Sequence, residues 1–122
     1  MMFRSFASQE ERKKAGGSAF LELQYCALPR GTSLKKIVSA KEAEHWKNDS
    51  LYVRADDLEL FSREYGNLFD SNLSLFGIGY YSPLQAEKLI AKIAAVKPID
   101  HETFLRWLAK AKEQNGFYIL GL

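Results

Sequence analysis

The sequence is short of the residues that most chemistry needs. Its 122 residues include one cysteine, Cys26, and two histidines, His45 and His101. A lone cysteine cannot close an internal disulfide, so a stapled secreted scaffold is set aside and a reducing compartment, the cytoplasm, is expected. The histidines lie far apart, and no His, Cys, Asp or Glu cluster has metal-ligand spacing. No apolar run is long enough to cross a membrane. The opening Met1-Met2-Phe3-Arg4-Ser5-Phe6 lacks the apolar stretch of a secretory signal. Neither sign of charge prevails. The formal net charge is +2 and basic residues interleave with acidic ones, which argues against a nucleic-acid or membrane surface.

Glycine-based motifs are also missing. Gly77-Ile78-Gly79 is a bare GxG, and Tyr80 and Tyr81 stand where a dinucleotide-binding helix would begin. No cofactor is expected. Cys26 falls inside a strand pattern and reads as a buried, inert thiol. Neither histidine has a serine or cysteine placed to accept from it, so no catalytic residue is assigned and the chain is read as a non-enzyme.

What is present is an ordinary globular balance. Apolar residues make up 47%, charged residues 26% and aromatics 13%. At this length about two-thirds of the unfolded surface can be buried, enough for one core. Residues 1–18 read as an arm, with a charged run from Glu10 to Lys14 and a Gly16-Gly17-Ser18 break. Phe3 and Phe6 are positioned to dock it. Residues 19–122 read as one α+β domain.

Leu21, Leu23 and Tyr25 alternate with Glu22 and Gln24, the period-two mark of a half-buried strand. Ser39-Ala40-Lys41-Glu42 has the form of a capping box and predicts a helix to about Lys47. Leu51–Arg54 alternates again. Asp56 or Asp57 then caps a helix to about Phe69, with Leu58, Phe61, Tyr65, Leu68 and Phe69 on one face and Gly66 as a potential break. Ser74–Tyr81 reads as a glycine-bent loop or short strand. Ser82-Pro83-Leu84-Gln85 opens a helix with stripe Ala86, Leu89, Ile90, Ile93 and Ala94. Lys97-Pro98 ends it, and Asp100 caps another helix with stripe Phe104, Trp107, Leu108 and Ala111. Asn115-Gly116 stops that helix before the apolar strand Phe117–Leu120, which is expected to pair inside the sheet. The predicted fold is α+β: a small sheet of three or more short strands against about four helices, ending in a helix-helix-strand unit.

Carboxylates Asp56, Asp57, Glu59, Glu64 and Asp70 cluster in sequence. They suit a solvated helix face or an acidic contact surface for a basic partner. Tyr52, Tyr80 and Tyr81 join them as candidate interface anchors, because tyrosine is enriched in binding hot spots. Tyr118 is a further candidate, Trp107 reads as core and Trp46 is open. Together Tyr52, Asp56, Asp57, Glu59, Glu64, Asp70, Tyr80 and Tyr81 form the expected partner-binding set.

The run Phe61-Ser-Arg-Glu-Tyr-Gly-Asn-Leu-Phe-Asp70, its continuation Phe76-Gly-Ile-Gly-Tyr-Tyr-Ser-Pro83 and the ending Asn115-Gly-Phe-Tyr-Ile-Leu120 resemble immunity proteins of contact-dependent growth inhibition and related polymorphic-toxin systems. Tyr65-Gly66-Asn67-Leu68 before helices, with a helix running into an apolar last strand, is also similar to barstar-like ribonuclease inhibitors, although those tend to be acidic. The resemblance implies a cytoplasmic inhibitor that covers the active or substrate-binding site of one cognate toxin, often a nuclease. The alternative is an adaptor or regulatory subunit without catalytic activity, in a homodimer for instance.

Overall fold

The computed structural model describes residues 1–15, 19–39, 46–69 and 77–121. Ten elements follow one another: β1 (Phe3–Arg4), α1 (Gln9–Lys14), β2 (Phe20–Tyr25), α2 (Leu34–Ser39), β3 (Leu51–Arg54), α3 (Leu58–Tyr65), β4 (Ile78–Tyr81), α4 (Pro83–Val96), α5 (His101–Glu113) and β5 (Phe117–Leu120). Single 3-10 turns at Ala55–Asp57 and Gly66–Leu68 bracket α3. The strands form one antiparallel sheet in the order β1-β3-β2-β5-β4. The fold is α+β, with the helix-helix-strand ending in place and β5 paired on both sides.

The ladder register explains the layering. Residues directly opposite each other in antiparallel strands share a face. Phe3, Val53, Leu21, Leu51, Leu23, Ile119, Tyr25, Phe117 and Tyr81 line one face by this rule. All are apolar or aromatic, and all are buried beneath α3, α4 and α5. The α5 stripe is buried in full, and Trp107 stacks on Tyr25 with ring centroids 4.2 Å apart. Each large side chain so buried contributes about 1.5–3 kcal/mol.

The second face carries Arg4, Tyr52, Glu22, Leu120, Arg54, Phe20, Gln24, Tyr118 and Tyr80. It is covered as well, so β2 is buried along its whole length, Glu22 and Gln24 included. This corrects the half-buried reading of β2. Ile37 of α2 packs with Cys26, Tyr118 and Leu120, while Phe6, Ala15 and Trp46 pack around Phe20 and Tyr52. Alternation sorted the two sides correctly, but the polar side meets a second layer and not water.

The helix boundaries test the capping arguments. Ser82 and Gln85 complete both halves of the capping box that opens α4. Asp57 and Asp100 hold N-cap positions, yet neither carboxylate caps its helix. Asp100 adopts φ +57 and accepts from the Met2 amide at 2.8 Å. Gly66 is a break: α3 passes there into a 3-10 turn. Ser39 closes α2 and donates its hydroxyl to the Lys35 carbonyl at 2.6 Å, so it does not start a helix. The remainder of the box expected there, residues 40–45, lies outside the described residues. Two helices, α1 and α2, went unread. The α1 cap, Ser8 accepting from the Glu11 amide at 3.1 Å, was visible as Ser-x-x-Glu but sits in a run dense in charge.

Candidate protein-binding site

β3 ends at Arg54, and the turn Ala55–Asp57 swings the chain into α3. Across from it runs the Lys97–Asp100 connection between α4 and α5. Two hydrogen bonds hold these parts to one another, and a third ties the N-terminal segment to them. Glu64 Oε1 accepts from the Ile99 amide at 3.0 Å, Tyr65 donates its hydroxyl to the Ile99 carbonyl at 2.5 Å, and Asp100 accepts from Met2. Between them opens a groove of about 520 Å³, lined by Met1, Met2, Arg4, Arg54, Asp56, Asp57, Leu60, Ile99 and Asp100.

The groove combines exposed apolar side chains with separated charges. Met1 and Ile99 are exposed. Arg54 reaches Asp56 at 3.4 Å, but the Asp56 side chain keeps 84% of its exposure, so the pair stabilises the fold by at most about 1 kcal/mol. Arg4 Nε is sealed from solvent without a hydrogen-bond partner. A partner that supplies countercharges here competes only with the weak, exposed Arg54–Asp56 pair.

The expected partner-binding residues divide among several places. Asp56 and Asp57 line the groove, and Glu59 is exposed on α3 beside it. Glu64 is half-buried and committed to Ile99. Tyr52 and Tyr81 are buried, as is Tyr118, and offer a partner no contact area in this conformation. Tyr80 is half-buried in β4, at the other end of the sheet from the groove. Asp70 lies outside the described residues. The stretch from Tyr52 to Tyr81 is therefore not one surface. Arg4, Met1 and Ile99 were missed because they reach the groove only through the β1–β3 pairing and the α4–α5 turn.

Cys26, His101 and the tyrosines Tyr25, Tyr52, Tyr65 and Tyr80 are engaged with groups of the fold. Cys26 is buried, and its Sγ lies 3.5 Å from the Tyr118 hydroxyl. His101 Nδ1 sits 3.1 Å from the Pro98 carbonyl, and His45 lies outside the described residues. Among the described residues no three His, Cys, Asp or Glu side chains gather as a metal site. Burial pushes the Tyr25, Tyr52 and Tyr65 phenols well above the usual range; the charge of Asp49 adds to this at Tyr25, of Glu22 at Tyr52, and of Asp100 and Glu64 at Tyr65.

Tyr80 is pushed up to about 12, by burial first and then by Cys26. A phenol raised in the folded state stabilises the fold below its ordinary value of 10.0, and that contribution is lost as pH rises towards about 12. An ultraviolet titration that compares native protein with the Tyr80→Phe variant should show the missing phenol ionising near pH 12. Ionisation near pH 10 in the native protein would contradict the burial of its hydroxyl against Asn115.

No protein-family model matches the chain, and no match was found among the curated proteins or the solved structures. No helix among the described residues is long and apolar enough to cross a membrane.

Proposed function

We propose that the chain is a protein-binding inhibitor of the immunity type, which neutralises a cognate toxin in the cytoplasm by covering its active or substrate-binding site. The observation that carries this reading is the groove, where Asp56 and Asp57 stand beside exposed Met1 and Ile99 on a frame fixed by buried aromatic packing. Apolar area flanked by an exposed and a half-buried carboxylate suits a partner surface that carries basic residues around an apolar centre, as a nuclease active site does. A free, buried Cys26 is compatible with a reducing compartment.

The test takes the product of the gene next to this chain's own as the toxin to be captured. Asp56→Lys with Asp57→Lys should slow association by about tenfold, since rim charges act on the encounter rate. Ile99→Ala should instead speed dissociation, because it removes apolar contact. Both variants should stay folded, with the thermal midpoint of the charge-reversed protein lowered by only about a few degrees. Unaltered kinetics in both variants would remove the groove from the contact.

A further inference from the structure

Among the described residues β4 is the outermost strand of the sheet, at the edge opposite the groove. Its bonds to β5 can be placed by alternation. The Gly121 amide donates to the Gly77 carbonyl at 2.7 Å, so the bonded pairs along the ladder are Gly79 with Ile119 and Tyr81 with Phe117. The amides and carbonyls of Ile78 and Tyr80 therefore point away from the sheet. Edge strands usually carry a charge, a proline or a bulge that discourages further pairing. Ile78-Gly79-Tyr80-Tyr81 has no charge and no proline.

The neighbouring surface is apolar with a basic margin. Ile78 lies opposite Leu120 and so on the α2 side of the sheet, and it is 60% exposed. α2 packs against β4 and buries only Ile37 of its three large apolar residues. Leu34 and Val38, one turn apart, remain 64% and 56% exposed. Lys35 and Lys36 are exposed between them and make no ion pair with any described residue.

We propose that the β4 edge is a docking site for an extended segment of a partner protein, added as a sixth strand, in which apolar side chains alternate with carboxylates. The outward amides and carbonyls of Ile78 and Tyr80 require an extended backbone as their complement. Every second side chain of such a strand then falls beside Ile78, on the face of the sheet that α2 covers. The Lys35–Lys36 pair selects acidic over basic neighbours. It also disfavours a second copy of the chain, which would bring like charges to the same rim.

The site is separate from the groove and independent of the inhibitor reading. The test uses a short capped peptide of alternating glutamate and valine, the matching lysine–valine peptide, and amide exchange of the full chain. The acidic peptide should bind saturably and slow exchange at Ile78 and Tyr80. The basic peptide, and the acidic peptide on Lys35→Glu with Lys36→Glu, should bind about tenfold more weakly. Ile78→Pro should abolish binding while leaving the β5 ladder intact, because the lost amide faces outward. Ile78→Lys, which keeps that amide and charges the edge, should likewise lose most of the binding. No binding, equal binding of the two peptides, or full binding to both Ile78 variants would overturn the proposal. So would a wild-type dimer that Ile78→Lys returns to monomer, because a second copy would then be the occupant.

Discussion

Replacing Glu22 with alanine is expected to destabilise the fold by about 3–5 kcal/mol, the usual consequence of removing one side of a buried charged hydrogen-bond network. Glu22 is 1% exposed at the centre of β2. Its Oε1 accepts from the Trp46 amide at 2.7 Å. Its Oε2 accepts from the Lys47 amide at 3.1 Å, the Ser50 hydroxyl at 2.8 Å and the Gln24 side-chain amide at 3.1 Å. Trp46 takes φ +83, so the carboxylate also holds a residue in a backbone conformation it seldom adopts.

Alanine takes this acceptor from the Trp46 amide, the Ser50 hydroxyl and the Gln24 side-chain amide, while the Lys47 amide keeps the Tyr52 hydroxyl at 3.1 Å. Total stabilities run to about 5–15 kcal/mol, so a large share is at stake. The melting temperature should fall by about 10–20 °C. Glu22→Gln keeps one acceptor oxygen but turns an NH2 group towards donors, and should cost about 1–3 kcal/mol. Urea unfolding of the three proteins gives the comparison. A loss under about 1 kcal/mol for alanine would mean that water reaches these donors.

Gly116→Ala is expected to do comparable or greater damage, for a steric reason. Gly116 has φ +79, and a Cβ built on it would lie 2.0 Å from the Tyr81 carbonyl oxygen. Its own amide donates to Ala111 at the end of α5, and its carbonyl accepts from Cys26 at the end of β2. The residue therefore cannot shift without loosening the helix end or the β2–β5 pairing. A loss of at least about 4 kcal/mol is expected, or failure to accumulate as folded protein. Gly31 serves as the control. Its φ is +90, but a Cβ added there would meet nothing within 4 Å. Gly31→Ala should therefore cost only the conformational strain, about 1–2 kcal/mol. Equal effects at the two glycines would show that backbone strain, and not contact with Tyr81, sets the cost.

These two sites mark where the sequence could and could not be read. Gly116 was legible as a stop signal because Asn-Gly after an apolar helical stripe has a local cause. The same holds for Ser82-Pro83-Leu84-Gln85 and for the strand after Gly116. Glu22 was not legible. Leu-Glu-Leu-Gln-Tyr has the same alternation whether its polar side meets water or a second layer, and that layer is built by α1, α2 and Trp46 from elsewhere in the chain. Tyr52 and Tyr81 have the same ambiguity, since a strand tyrosine suits a core and an interface equally by composition. Asp56 and Asp57 were legible as carboxylates at a helix start because they precede an amphipathic stripe. Their groove partners Arg4 and Ile99 lie some forty or more positions away, and no local pattern joins them.

The inhibitor reading meets its most direct test in a titration, with the purified chain, of the toxic activity of the product of the gene next to its own. Activity should fall linearly to its floor at one equivalent, and the Asp56→Lys, Asp57→Lys, Ile99→Ala triple variant should need a large excess to reach the same floor. Full toxin activity at saturating wild-type protein would contradict the account.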